Sequence, residues 1–358
     1  MKRSEMKTKA QTVLGAIESQ KLGLTLPHEH LLVDCTVDFT EPDKPNEKEL
    51  ANKLVGFENL SWVRSHIFSN RDNLSLTDVS MAIDEARLFK EAGGQTIVDV
   101  TSNNIGRKPE ALVHISQEAG INVIMGTSYY REASYRKEDS IESRYEEEIA
   151  DEFVAEIVEG VGYTGICAGI IGEVACSWPL TDSERKVLRA AAIAQRRTGA
   201  AISVHPGFYD EAPLEIIDVL REAGADINRV IIDHMGETIK SHSARFRLAA
   251  SGCYLEWDRF GSDGEYPFYS KGSPNKIPDV PNDPERLNQI IQLIGEGHLN
   301  QILMSHDVFM KIELVHFGGG GYAHILNNVL PLMREKGISE EHLHTITVEN
   351  PKRLLTFI

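Results

Sequence analysis

Short apolar runs alternate along this chain with longer stretches whose apolar positions recur at helical spacing. The runs occupy residues 25–34, 96–101, 122–127, 168–173, 201–205, 230–234, 253–257 and 301–306. They are rich in β-branched residues and read as strands. Between them, 76–92 carries a helical pattern and stops at Gly93-Gly94. The stretch 183–198 follows Thr181-Asp182, which can cap it, and ends at Gly199. Residues 212–223 and 284–295 behave similarly, whereas 351–358 is too short to assign.

Strands that alternate with helices imply a parallel sheet. Eight of them favour a closed (β/α)8 TIM barrel over an open doubly wound sheet. No G-x-G-x-x-G turn follows the first strand, which removes the simplest dinucleotide-binding reading. The expectation is one α/β domain over residues 1–358, with a barrel from roughly 22 to 350 behind an N-terminal extension. Two loop insertions, 36–77 and 261–283, exceed a minimal barrel. Both follow the carboxyl end of a strand, where barrel active sites sit, so they are either lids and walls or plain surface elaboration.

Ionisable residues recur at the ends of those runs. His28 and His30 stand two residues apart at the first strand, so they share a face. Glu173 ends the fourth run, His205 the fifth and His234 the sixth, and Asp307 follows the eighth. In a barrel these six residues lie on one rim. Four imidazoles and two carboxylates are a mixed N/O donor set suited to zinc, manganese, cobalt or iron. One ion uses three or four such ligands, so six point to two ions, with Glu173 long enough to bridge them. His306 has the opposite strand parity to Asp307 and is expected to support the ligands. His316 and His324 flank Gly318-Gly319-Gly320-Gly321, which is either a mobile loop or a tight turn. His66, His114, His242, His298, His342 and His344 fall in helical or loop contexts and read as structural.

Bulk properties narrow the partners. The 358 residues are 41% hydrophobic and 25% charged, as in ordinary globular proteins. The net charge of −17 argues against nucleic acid and against an anionic membrane surface. No apolar run approaches the ~20 residues needed to span a bilayer. The polar, Lys-rich start has no apolar segment of a secretory signal. Four cysteines, Cys35, Cys167, Cys176 and Cys253, form no CxxC pair, which fits reduced thiols and a cytoplasmic location.

Taken together, the His-x-His, the strand-4 acid, the histidines of strands 5 and 6 and the strand-8 Asp resemble the amidohydrolase superfamily. More narrowly, the chain resembles the phosphotriesterase-related proteins from about residue 11 onward, including Gln11 to Gly15, Gly172 to Lys186 and Gly252 to Gly261. The resemblance implies a binuclear centre, zinc first. His28, His30 and Asp307 would hold the more buried ion, and His205 and His234 the more exposed one. Glu173 replaces the carboxylated lysine of the founding phosphotriesterases, which implies carboxylic substrates: lactones, sugar lactone phosphates or an N-acetyl amide. Asp307 would relay a proton, Tyr130 would reach the reacting water or substrate, and Arg259 would face a substrate anion or pair with Asp258 or Asp263. The implied activity is metal-activated hydrolysis of a small-molecule amide, lactone or ester, and a homodimer is a family-level expectation. A non-catalytic ligand-binding barrel and a metal-dependent isomerase or decarboxylase remain the rivals.

Overall fold

A computed structural model describes residues 7–262 and 280–358. Eight parallel strands lie side by side in chain order: β1 (Thr25–Glu29), β2 (Thr96–Asp99), β3 (Asn122–Thr127), β4 (Ile170–Ala175), β5 (Ile202–His205), β6 (Val230–Ile232), β7 (Tyr254–Trp257) and β8 (Ile302–Met304). Helices between them include α1 (Val79–Glu91), α2 (Pro109–Ala119), α3 (Glu146–Val158), α4 (Asp182–Thr198), α5 (Ala212–Glu222), α6 (His242–Ala249) and α7 (Asp283–Gly295). This is the (β/α)8 barrel that the alternation implied.

Alternation along the strands builds two cores. One set of side chains packs outward against helices, with Ile97, Val123, Ile202 and Leu255 meeting Phe89, Phe153 and Leu188. The other set, Val98, Ile124, Ile170, Ala201, Ile231, Tyr254 and Leu303, fills the barrel interior. An N-terminal hairpin, Lys9–Thr12 with Gly15–Glu18, closes the lower mouth and adds Ala10 to that interior cluster. Two residues further along the strands the interior turns polar: His28, Ser203, Asp233, Glu256 and Ser305 are all fully buried. Barrel interiors are ordinarily filled by branched apolar side chains, so this layer marks the functional end.

The caps follow the sequence. Thr181 Oγ1 accepts the Glu184 N–H at 3.2 Å to start α4, and Gly199 ends it at φ +80°. Asp78 caps α1 through the Met81 N–H. Gly126 is required where β3 meets β4, because a Cβ there would sit 1.9 Å from the Gly172 carbonyl oxygen.

Several bounds differ from expectation. The run 25–34 is two strands: the Leu31 N–H turns to Asp99 Oδ2 at 2.8 Å, and Val33–Asp34 then pairs antiparallel with Ser75–Leu76. β4 lies two residues later than expected, so Glu173 sits inside the strand instead of closing it. β6 ends at Ile232, since His234 has left the extended region with φ 57°. Helices α2, α3 and α6 were not anticipated. Of the two insertions, 36–77 is a set of short helical turns tied to the loop after β8: the Lys311 N–H donates to the Asn73 carbonyl at 2.9 Å, and Phe68 stacks on Phe309. It forms a wall. Most of 261–283 lies outside the described residues. Among those described, no helix is long and apolar enough to cross a membrane.

Candidate metal centre

Strand ends of the barrel gather the six candidate ligands into one buried cage. His28 Nε2 and His30 Nε2 lie 3.6 and 3.3 Å from Asp307 Oδ1, and the three donor atoms form one compact group. His28, Glu173 and His234 form a second group that shares His28. Glu173 reaches both: Oε1 is 4.0 Å from His28 and 3.4 Å from His234 Nε2, and Oε2 is 4.0 Å from His30. His205 joins through Nδ1, 2.8 Å from Glu173 Oε1 and 2.8 Å from His234 Nε2. No member is more than 7% exposed.

The backbone is bent to make this cage. His234 and Asp307 both take left-handed φ, at 57° and 49°. Such values are uncommon outside glycine and cluster at functional sites.

Carboxylates orient the rings from beneath. Asp258 accepts both the His234 backbone N–H at 2.9 Å and its Nδ1–H at 2.9 Å. His30 Nδ1 meets Thr101 Oγ1 at 2.8 Å. His28 Nδ1 faces Asp233 Oδ2 at 3.5 Å, Asp258 Oδ2 at 3.6 Å and Glu256 Oε2 at 3.8 Å. Partners of this kind fix the tautomer and aim of a ligand ring.

Charge in the cage is strongly coupled. Burial pulls His28 and His234 down, yet the surrounding carboxylates, Asp233 first for His28 and Asp258 first for His234, together lift both well above the usual histidine value. Burial, then the neighbouring His234, lowers His205, and the Arg131 charge adds to that. Glu173 is held well below the carboxylate range against burial, by His205 and His234. Against burial, His30 and Arg259 bring Asp307 to about 2. Burial and then Asp233 push Glu256 well up.

These residues suit divalent cations. His28 Nδ1 and Nε2 and Glu173 Oε2 are buried with no hydrogen-bond partner among the described residues. Buried polar atoms are rarely left so. Nitrogen and carboxylate donors in this mixture match zinc and its neighbours.

A family model described as the phosphotriesterase family matches residues 8–355. This chain belongs to the phosphotriesterase family. It is a hydrolase. An N-acetyltaurine hydrolase of Dictyostelium discoideum is 41% identical, with 98% of each chain covered. The crystal structure of a resiniferatoxin-binding protein from Rhodobacter sphaeroides superposes with a TM-score of 0.92 at 37% identity, covering 99% of this chain and 98% of that one. A mutant of a phosphotriesterase-like lactonase from Deinococcus radiodurans gives a TM-score of 0.75 at 28% identity, covering 97% and 99%.

Other residues of this phosphotriesterase-family chain find clear places. Arg259 does not pair with Asp258, whose carboxylate serves His234. It donates to the Asp307 carbonyl at 2.7 Å, approaches Asp307 Oδ2 at 3.3 Å and pairs with Glu313 at 2.8 Å. Asp263 lies outside the described residues. Tyr130 sets its ring edge-on to His205 with centroids 5.5 Å apart. His306 supports the frame: Nε2 accepts the Ile325 N–H at 3.0 Å, so Nδ1 carries the proton donated to Glu29 at 2.7 Å. The glycine run is a tight turn, since a Cβ on Gly319 would meet the Glu313 backbone at 2.2 Å.

Sequence reasoning missed Glu29, Asp233, Glu256 and Asp258. Glu29 accepts from Ser305 Oγ, from the backbone N–H groups of His306 and Val308, and from His306 Nδ1. It thereby stitches β1 to the segment after β8, a seam with no regular ladder among the described residues. The one available signal was its position between two histidines.

Proposed function

We propose that this chain is a binuclear-metal hydrolase that cleaves a small carboxylic substrate, an N-acyl amide first and a lactone or ester second. The observation that carries the reading is the pair of donor groups joined through His28 and Glu173. In this reading His28, His30 and Asp307 would hold one ion and His205 and His234 the other, with Glu173 shared between the two groups. Two divalent ions held there, zinc by preference, would supply an activated water and a Lewis acid for a carbonyl oxygen.

The protein's own groups do the rest. The Asp307 carboxylate would take the proton lost by the attacking water and pass it to the leaving nitrogen or oxygen. His30 and then Arg259 lower this carboxyl against burial, so it would hold that proton only briefly. Arg259 holds the Asp307 carbonyl and Oδ2 and keeps the carboxylate aimed. Tyr130 and Phe208 stand steeply tilted to the His205 ring with centroids 5.5 Å apart and flank the cage. Glu in the bridging position and the N-acetyltaurine hydrolase relative favour amides over phosphotriesters.

A ligand-binding role is the second reading, favoured by the description of the Rhodobacter sphaeroides relative as a binding protein. Metal analysis coupled to a screen of N-acetyltaurine, N-acyl amino acids, lactones and phosphorylated lactones tests both. Two equivalents of metal with turnover of an amide or lactone are expected. Metal-loaded protein that turns over none of them would defeat the reading as an amide or lactone hydrolase.

A further inference from the structure

Two arginines border the cage, and they differ in how far their charge is spent. Arg259 is 3% exposed and locked between Asp307 and Glu313. Arg131 stands at the end of the loop after β3 and its side chain is 25% exposed. One Nη group is in close contact with Asp38, which comes from the insertion after β1. Its guanidinium lies 5.3 Å from the Tyr130 ring centroid, and that ring in turn abuts His205. Its Nε is buried with no hydrogen-bond partner among the described residues.

The neighbourhood ties this group to the cage. Cys35, 4% exposed, senses both sides: burial and then Asp38, Asp307 and Glu173 push its thiol well up. Arg131 is thus one aromatic ring away from the candidate ligands, on the carboxyl face of the barrel. A guanidinium that lies over an aromatic ring and has an unpartnered Nε suits recognition of an oxyanion. Asp38 and Tyr130 hold it in place, so little side-chain freedom is lost on binding. The chain carries a net charge of −17, so an anionic substrate needs such a local cation.

We propose that Arg131, braced by Asp38 and Tyr130, is the subsite that receives the anionic end of the substrate. It would take a sulfonate or carboxylate joined by a short aliphatic spacer to the scissile acyl group. This rests on the hydrolase reading above and narrows it to amides or esters whose leaving group bears an anion.

The test uses metal-loaded full-length protein and three probes: N-acetyltaurine, N-acetyl-β-alanine and the neutral N-(2-hydroxyethyl)acetamide. Calorimetric titration gives the ratio of anion to neutral affinity within each protein, a ratio that a general loss of folded material does not alter. Wild type should prefer at least one anion by about 10- to 100-fold, the scale of one or two charge-assisted hydrogen bonds. Arg131→Met should bring that ratio close to one, and Arg131→Lys should keep only part of it. The two anions separate a sulfonate pocket from a carboxylate pocket. Equal binding of all three by wild type overturns the proposal, as does an unchanged ratio in Arg131→Met. Should that variant not fold, an unchanged ratio in Arg131→Lys overturns it instead, because lysine lacks the fork. Turnover is read separately. If no probe is hydrolysed yet the ratio falls, the subsite stands and the hydrolase reading fails.

Discussion

Glu29→Gln is the perturbation that most directly tests how the barrel seam positions the cage. Glu29 is fully buried, and all four of its partners are donors. Oε1 accepts from Ser305 Oγ at 2.8 Å, His306 N–H at 2.9 Å and His306 Nδ1 at 2.7 Å. Oε2 accepts from the Val308 N–H at 3.1 Å. A glutamine offers one oxygen. If it faces the three donors, its NH2 is turned against the Val308 N–H and that bond is lost. A hydrogen bond to a charged acceptor is worth about 1.5–3 kcal/mol and a neutral one about 0.5–1.5 kcal/mol. One lost bond and three weakened ones therefore cost about 3–5 kcal/mol, with incomplete additivity. Asp307 lies between the residues so anchored and holds a left-handed backbone, so freeing Val308 also loosens this candidate ligand. Urea denaturation of the variant should show the loss, and the purified protein should carry less metal than wild type. A stability change below about 0.5 kcal/mol with unchanged metal content would refute the argument, since that is the range of an ordinary surface substitution.

Asp307→Asn should keep the fold by circular dichroism and cut turnover by about 10²- to 10⁴-fold, the range for loss of general acid–base help; near-wild-type turnover would remove the proton-relay role. Glu173→Gln keeps the volume but loses the charge next to His205 and His234, so metal content measured by mass spectrometry should drop; two retained equivalents would count against a bridge. A pH effect follows from His28 and His234, which neighbouring carboxylates raise against the pull of burial. Their contribution is present below about 6.5 and lost as pH rises through the folded value, whereas cations need the neutral rings. The melting-temperature gap between zinc-loaded and chelator-treated protein should therefore widen from about pH 6 upward, and a gap independent of pH would contradict it.

The barrel was legible because each strand is a short apolar run bounded by helix signals. The strand ends were not, because they are decided by the third dimension. Leu31 leaves the sheet for the carboxylate of Asp99, a partner 68 residues away. Glu173 sits mid-strand because β4 continues through Val174 and Ala175, which a search for a closing acid cuts off. Helix α2 did carry its own punctuation, Pro109 at the start and Gly120 at the stop. Helix α3 opens with Glu146, Glu147 and Glu148, a polar turn that masks its apolar face until Ile149.

The candidate ligands were legible for a different reason than their supports. A lone imidazole at a strand end is more often structural, as His306 is, but His28, His30, His205 and His234 on one rim with two acids stand out in the chain. Asp233, Glu256 and Asp258 do not, because acidic residues beside strand ends are usually solvated. Their buried placement has a physical consequence. Burying several carboxylates in one barrel layer is costly unless positive charge lies against them. Part of that cost is met by Glu256, which burial and Asp233 push toward its protonated form; the rest falls to positive charge at His28 and His234, whose rings face Asp233, Glu256 and Asp258 on one side and Glu173 or Asp307 on the other. Protons can supply it at low pH, and cations can supply it when the rings are neutral. The polar layer and the cage are thus one electrostatic unit, and an apolar substitution in that layer should lower affinity for metal even though it touches no ion.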